Sequence, residues 1–344
     1  MLRILANIAI FIAAFAAVGA GMRSYAPERL KIEWFQQHQD DYDLVFIGSS
    51  HVYRQLDAES IAAGLPSSTG TVQAFTFGVP GMRFAETLHM ANRLLEQDCA
   101  KLKWLVLELD DLRTDMEEEN LFTERQVYWH DWFASWWVLR ALMAENLATA
   151  EKTSRAKLHL HHFAHWLGNI GRGPAAWALL TTGAGESFFT ASGALRPGIG
   201  ENGHGWRPLD LEAGNPSYEK RRREFMADLD GFRNSRRALV SSQWTGPPAP
   251  VLAAAIDDLD KRAAARGVQL AFIILPGYEK PAGWMALKKQ GHIKHLLAFN
   301  DPQRWPEFYR ANNRWDLFHL NRAGSELLSQ AFIEEFKPMW EEQR

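Results

Sequence analysis

Leu44-Val45-Phe46-Ile47 is an unbroken apolar run that closes on Gly48 and gives way at once to Ser49-Ser50. A strand with one face in water alternates apolar and polar residues. A run without alternation belongs to a strand covered on both faces, the mark of a parallel sheet. The serines then stand where the chain leaves the strand's C-terminal end and turns into a helix. Ligands of open α/β sheets bind at that edge. A serine there also sits beside the N–H groups of a helix N-terminus, which can stabilise a developing oxyanion. The stretch 43–54 therefore bears on both the fold class and the chemistry.

The flanking sequence extends the pattern. Residues 58–65 read as a short helix, ended by Pro66-Ser67-Ser68-Thr69-Gly70. Residues 71–77 (TVQAFTF) read as a second strand that runs into Gly78-Val79-Pro80-Gly81. Residues 84–97 place Leu88, Ala91, Leu94 and Leu95 on one helical face, and residues 104–109 (WLVLEL) read as a third strand ending at Asp110-Asp111. Strand and helix alternating at this spacing predict an α/β fold with a doubly wound, mostly parallel sheet. The pattern stops between about residues 116 and 244, where aromatic helical segments at 128–147 and 159–167 precede a glycine-rich stretch at 168–215. This is expected to be a helical and loop insertion capping the sheet. The pattern resumes with a helix at 250–266, a strand at 267–275, a short final strand at 295–299 and a last helix through Phe336.

Residues 4–22 are uncharged for 19 positions between Arg3 and Arg23. At about 1.5 Å per residue, a helix of that length nearly spans the roughly 30 Å hydrocarbon core of a bilayer. Val18-Gly19-Ala20 and Ser24-Tyr25-Ala26 are possible signal-peptidase sites, but the length of the run favours an uncleaved signal anchor. Residues 1–26 are thus expected to form a transmembrane helix and residues 27–344 the α/β body. Arg3 opposes Arg23, Arg29 and Lys31, so charge alone does not orient the span. A globular body after a short tail is the usual shape of a single-pass protein whose body is exported across the membrane, and the resemblance set out below implies the bacterial inner membrane with the body in the periplasm. The net charge of −3 offers nucleic acid no electrostatic footing. Cys99 stands alone, so there is no intrachain disulfide and no thiolate metal cluster.

A serine nucleophile needs a base, an acid to orient that base, and donors for the oxyanion. Asp316 and His319 stand three residues apart just before the last helix. That spacing lets the carboxylate reach Nδ1–H while Nε2 points outward. If the last helix packs beside the first strand, His319 arrives near Ser50.

Together, Gly48-Ser49-Ser50, Gly78 after the second strand and Asp316-x-x-His319 resemble the SGNH/GDSL hydrolase superfamily. The segment Asp316-Leu317-Phe318-His319-Leu320-Asn321-x-x-Gly324 is similar to the terminal block of its membrane-anchored, DltD-like members. The resemblance covers residues 43–111 and 268–336. It implies an SGNH, flavodoxin-like sheet, Ser50 as nucleophile, His319 as general base and Asp316 as its orienting acid. It also implies an oxyanion hole from the Ser50 and Gly78 N–H groups, O-acyl esters of envelope polysaccharide as substrate, and no metal or cofactor. Ser49 stands where the family usually has aspartate. The family's third block offers Gly-x-Asn, whereas here the strand ends Glu108-Leu109-Asp110-Asp111. An ionised aspartate cannot donate a hydrogen bond. Loss of one oxyanion donor costs on the order of 10² to 10³ in rate. Two other readings therefore stand beside an esterase: an O-acyltransferase or accessory protein of an envelope acyltransferase complex, and a non-catalytic envelope scaffold.

Other residues draw attention for weaker reasons. His159, His161, His162 and His165 have metal-like spacing but no carboxylate or thiol among them, so a wet helix face is the expectation. Asp110 and Asp111 form a carboxylate pair at a strand end. Arg125, Tyr128, Trp129 and His130 could line a cleft or pack in a helix interface. His51 directly follows Ser50 and is expected to point elsewhere. Gly203-His204-Gly205-Trp206 reads as a tight loop. The fourteen tryptophans suit core, membrane-proximal and carbohydrate-facing positions alike.

Overall fold

The computed structural model describes residues 2–23, 29–67, 70–110, 114–116, 118–169, 188–190, 192, 194–200, 202–242, 250–278, 280 and 283–342. Its helices are, in chain order, α1 (Leu2–Arg23), α2 (Arg29–His38), α3 (Ser50–Gln55), α4 (Ala58–Gly64), α5 (Phe84–Leu95) and α6 (Glu124–Trp129). They continue with α7 (Trp132–Ala144), α8 (Thr149–Gly168), α9 (Pro216–Ala227), α10 (Leu229–Ser241), α11 (Pro250–Ala265), α12 (Trp284–Lys289) and α13 (Arg322–Glu342). The chain divides into two compact units: Met1–Glu33 with Thr114–Phe188, and Trp34–Arg113 with Phe189–Arg344. The stretch 116–244, expected as one insertion, is thus split between them.

The second unit is an α/β body around five strands, β1 (Leu44–Gly48), β2 (Ala74–Gly78), β3 (Trp104–Glu108), β4 (Gln269–Ile274) and β5 (Leu296–Ala298). They pair in parallel throughout, in the order β2-β1-β3-β4-β5. The winding direction reverses between β1 and β3, so a crevice opens there at the strands' C-terminal ends. Every residue of β1, β2 and β3 is buried, as the unalternating run predicts. Leu44, Phe46, Trp104 and Val106 share a core with Leu328, Phe332 and Phe336 of α13. Their rings meet edge to face, Phe46 on Phe332 at 5.2 Å and Trp104 on Phe336 at 5.0 Å. Helices α5 and α11 pack on each other and on β1, β3 and β4, taking the residues of opposite parity. On α13, Leu328, Ala331 and Phe332 are buried in this core and Leu327 packs against it half-buried.

The loop after Gly200 closes the free edge of β2. Thr76 N–H donates to the His204 carbonyl at 2.8 Å, Trp34 Nε1–H donates to the Gly203 carbonyl at 2.8 Å, and Trp206 Nε1–H donates to the Arg54 carbonyl at 3.1 Å. Gly205 has φ +81°, and a Cβ there would strike the Thr76 carbonyl. The tight loop expected at 203–206 is therefore a strap across an exposed sheet edge, which otherwise invites pairing with other chains.

The first unit holds α1 and α6–α8. The helix expected over 128–147 is broken at His130-Asp131, because Asp131 Oδ1 accepts the Ala134 N–H at 2.8 Å and starts α7 afresh. The wet histidine face is corrected in part: His159 and His162 are buried, whereas His161 is exposed and His165 half-buried. His130 Nε2 lies 2.9 Å from His159 Nδ1, His159 Nε2 bonds the Thr114 carbonyl at 2.8 Å, and His162 Nε2 accepts the Phe122 N–H at 3.0 Å. Helix periodicity does not reveal that α6 and α7 will pack on this face.

The N-terminal expectation is also corrected. Helix α1 contains the whole apolar stretch, yet among the described residues no helix is long and apolar enough to cross a membrane. Ile4, Leu5, Ile8, Phe11 and Phe15 are exposed on α1. Of the two possible cleavage sites, Val18-Gly19-Ala20 lies within α1, and Ser24-Tyr25-Ala26 lies outside the described residues.

Candidate active site

The two serines have different duties. Ser49 is the N-cap of α3: its φ of −80° and ψ of −162° are extended, and its Oγ accepts the His51 N–H at 3.1 Å. Ser50 is the first helical residue, with its backbone N–H among those that no helical carbonyl can reach. Its Oγ lies 2.9 Å from His319 Nε2. On the other side of that ring, His319 Nδ1 lies 3.0 and 3.1 Å from the two Asp316 carboxylate oxygens. Ser50, His319 and Asp316 thus form one hydrogen-bonded relay across 269 residues of chain.

The loop that carries the acid and base is held at several points. Asp316 Oδ1 accepts the N–H groups of Phe318 and His319, each at 2.8 Å, so the carboxylate folds its own turn. Arg314 is fully buried and donates to the Phe308 and Pro276 carbonyls at 3.2 and 3.1 Å, tying the loop to the end of β4. Arg222 of α9 donates to the Arg314 and Trp315 carbonyls. Gln55, at the end of α3, donates to the Phe318 carbonyl at 3.3 Å. Asn321 then caps α13 through the Gly324 N–H at 3.0 Å.

Electrostatics separate the roles. Burial would raise the Asp316 carboxyl, but the hydrogen bond and charge of His319 and two backbone N–H groups hold it down to about 2. For His319, burial is the largest influence and lowers it. Asp316 pushes upward, the charges of His51 and Arg54 push downward, and the ring rests below the ordinary histidine value. A neutral imidazole beside a permanently ionised carboxylate is the resting state that a general base requires.

The site contains a residue that sequence reasoning missed. Glu108, the last residue of β3, is buried and aims at the serine turn. Its carboxylate accepts from Ser49 N–H, from Ser49 Oγ at 3.0 Å and from His51 Nδ1 at 3.0 Å. A Cβ on Gly48 would collide with Glu108, so Gly48 is what lets the carboxylate pass. The signal was available: an acid ending a strand buried on both faces must find a partner. His51 is likewise corrected, because it points into the site, with its ring centroid 5.3 Å from that of His319.

The remaining candidates scatter. Gly78 pairs in register with Gly48 and packs so tightly on α3 that a Cβ would overlap the Tyr53 backbone. Asp110 Oδ2 is 3.2 Å from Arg83 Nη1, and Asp111 lies outside the described residues. Arg125, Tyr128, Trp129 and His130 belong to the first unit, where Trp129 and His130 are buried. Among the described residues no group of three His, Cys, Asp or Glu side chains is placed to hold a metal ion. A cavity of about 500 Å³ opens between α9, α10 and the Asp316 loop, lined by Arg221, Phe225, Phe232, Leu317 and Phe318. It reaches Asp316 but not Ser50 or His319.

The chain matches no protein-family model and no curated protein.

Proposed function

We propose that the chain is a serine esterase of SGNH type that forms a covalent acyl-serine. The observation that carries this reading is the unbroken relay from Ser50 Oγ to His319 Nε2 and from His319 Nδ1 to Asp316. The five-stranded parallel order with its serine turn at the β1–β3 crevice supports it at the level of fold. Ser50 Oγ attacks the ester carbonyl carbon as its proton passes to His319 Nε2. The Ser50 N–H donates to the resulting oxyanion, and Gly78, level with Gly48 at the end of β2, is the second proposed donor. His319 returns the proton to the leaving alkoxide, which departs and leaves the acyl group on Ser50. Water then attacks the acyl carbon as His319 Nε2 takes its proton, the bond from that carbon to Ser50 Oγ breaks, His319 returns the proton to Oγ, and the carboxylic acid leaves.

The proposed substrates are O-acyl esters, with acylated envelope carbohydrate as the natural class. Phe318, 58% exposed, and the cavity beside it are the proposed contact for the part of the substrate remote from the reacting ester carbon. We place the protein at the bacterial inner membrane, with the body outside the cytoplasm. Support comes from the first unit, which exposes the apolar α1 together with Trp132 and Trp136 on α7.

The test is turnover of p-nitrophenyl acetate by the full chain. Ser50→Ala and His319→Ala should each lower kcat by at least about 10³-fold. If both variants keep full activity, the relay is a structural tie and the esterase reading fails. Product analysis with p-nitrophenyl acetate as donor and an unacylated sugar as acceptor distinguishes hydrolysis from transfer.

A further inference from the structure

The relay accounts for the proton that leaves Ser50, but it leaves the oxyanion with backbone donors alone. The same strand edge carries a second, unassigned pair. Glu108 rises from the end of β3 with its carboxylate buried, and its Oε1 lies 3.0 Å from His51 Nδ1. A carboxylate only accepts, so His51 Nδ1 is the donor there and Nε2 is the far edge of the ring. That ring is one residue beyond the nucleophile and 5.3 Å, centroid to centroid, from the ring of the general base. Its side chain is 26% exposed while its partner Glu108 is 4% exposed, so one edge is anchored in the protein and the other opens outward.

We propose that His51 is a catalytic residue, donating from Nε2–H to the oxyanion that forms when Ser50 attacks. Glu108 is its positioning residue. This rests on the acyl-serine reading and deepens it. To donate at Nε2 while Nδ1–H is held by Glu108, His51 must be the imidazolium. The groups that face it are Glu108 and Asp110 from the end of β3, and Arg314 and His319 from the loop before α13. Burial alone would push His51 down. The hydrogen bond and charge of Glu108, helped by Asp110 and opposed by Arg314, hold it above the ordinary histidine value. Glu108 is held low in turn: burial would raise it, but His51 and the two Ser49 donors outweigh that. The two histidines are thereby driven apart, His51 toward the charged form and His319 toward the neutral one, the pattern that separates acid from base in one site. A cation kept beside Ser50 adds to the backbone N–H groups where negative charge develops, and one such donor is worth on the order of 10² to 10³ in rate.

The experiment measures the second-order rate of fluorophosphonate labelling at Ser50, with mass spectrometry locating the adduct, in the full-length wild-type, S50A, H51A, H51Q and E108Q chains. Phosphonylation also builds negative charge on an oxygen, so it reads the same donor without needing the natural substrate. His51→Ala should slow labelling by about 10²-fold or more, measured at a temperature where circular dichroism shows the variant folded. His51→Gln, which keeps an N–H donor without a charge, should recover part of that rate. Because the donor must be protonated, the wild-type rate should fall as pH rises through the raised His51 value, and this alkaline limb should be absent in H51Q. Glu108→Gln should move that limb to lower pH. If wild type labels at Ser50 and H51A labels within twofold of it, His51 is not a donor and the acyl-serine reading stands alone. If H51A is slowed but the limb persists in H51Q, the role of His51 is structural and the proposal fails. If wild type does not label at Ser50, the acyl-serine reading falls and takes this proposal with it.

Discussion

Ser49 and Ser50 are adjacent and chemically identical, and position alone separates them. One serves as N-cap with its hydroxyl turned to a backbone N–H; the other is carried a third of a turn further and meets His319. The base's environment has a measurable consequence. Because His319 sits below the ordinary histidine value of 6.5, the acid limb of kcat/KM should fall below that pH as the base becomes protonated. Asp316, held at about 2, should contribute nothing to the profile above pH 4. A pH–rate profile with its acid limb above 6.5 would contradict the assigned environment. A second measurement concerns recognition: Phe318→Ala should raise KM for an aryl ester with little change in kcat, since the ring borders the cavity and the relay does not use it. A fall in kcat at unchanged KM would remove Phe318 from the substrate's path. That Ser50, Asp316 and His319 would come together was legible through the resemblance of their ordered blocks to the SGNH pattern, since each motif alone says no more than a helix cap or a loop. Glu108 was not, because its meaning lies in what it touches, and a single letter in WLVLEL does not say that Gly48 leaves room for it.

The strands were the most legible elements. Those of β1 and β3 sit as the apolar runs predict, and the second begins at Ala74 rather than Thr71, since Val72 and Gln73 lead into the sheet before pairing begins. Helix interiors followed their stripes, while starts depended on caps, as the break before α7 shows. The contact of α3 with β2 gives the strictest test at this scale. Gly78→Ala forces a methyl onto the Tyr53 backbone and should cost about 1–3 kcal/mol, read from urea unfolding. Gly198→Ala points into open space and should change little. Equal stability of the two variants would mean that α3 yields freely, and a nucleophile on so loose a helix could not be held in place.

At the scale of the molecule, the two units answer to different physics. The first is organised around buried histidines, and burial, with the neighbouring His162 and Arg155 charges, holds His159 down to about 4. An unfolded histidine titrates near 6.5, so between those values the unfolded chain binds more protons than the folded one. Stability of this unit is therefore complete above pH 6.5 and drains away toward pH 4, by up to about 3 kcal/mol. Hydrogen–deuterium exchange over residues 124–166, corrected for intrinsic rates, should quicken at pH 5 relative to pH 7.5; unchanged protection would refute it. The second unit joins the two ends of its own sequence: Ser50 lies near its beginning and His319 near its end, 269 positions further on. A ribosome delivers the nucleophile long before the base. A nascent chain that ends between Ser50 and Asp316 carries the proposed nucleophile without its proposed proton acceptor. On the proposed reading, the relay is complete only once residues 316–319 have been made and folded against α3.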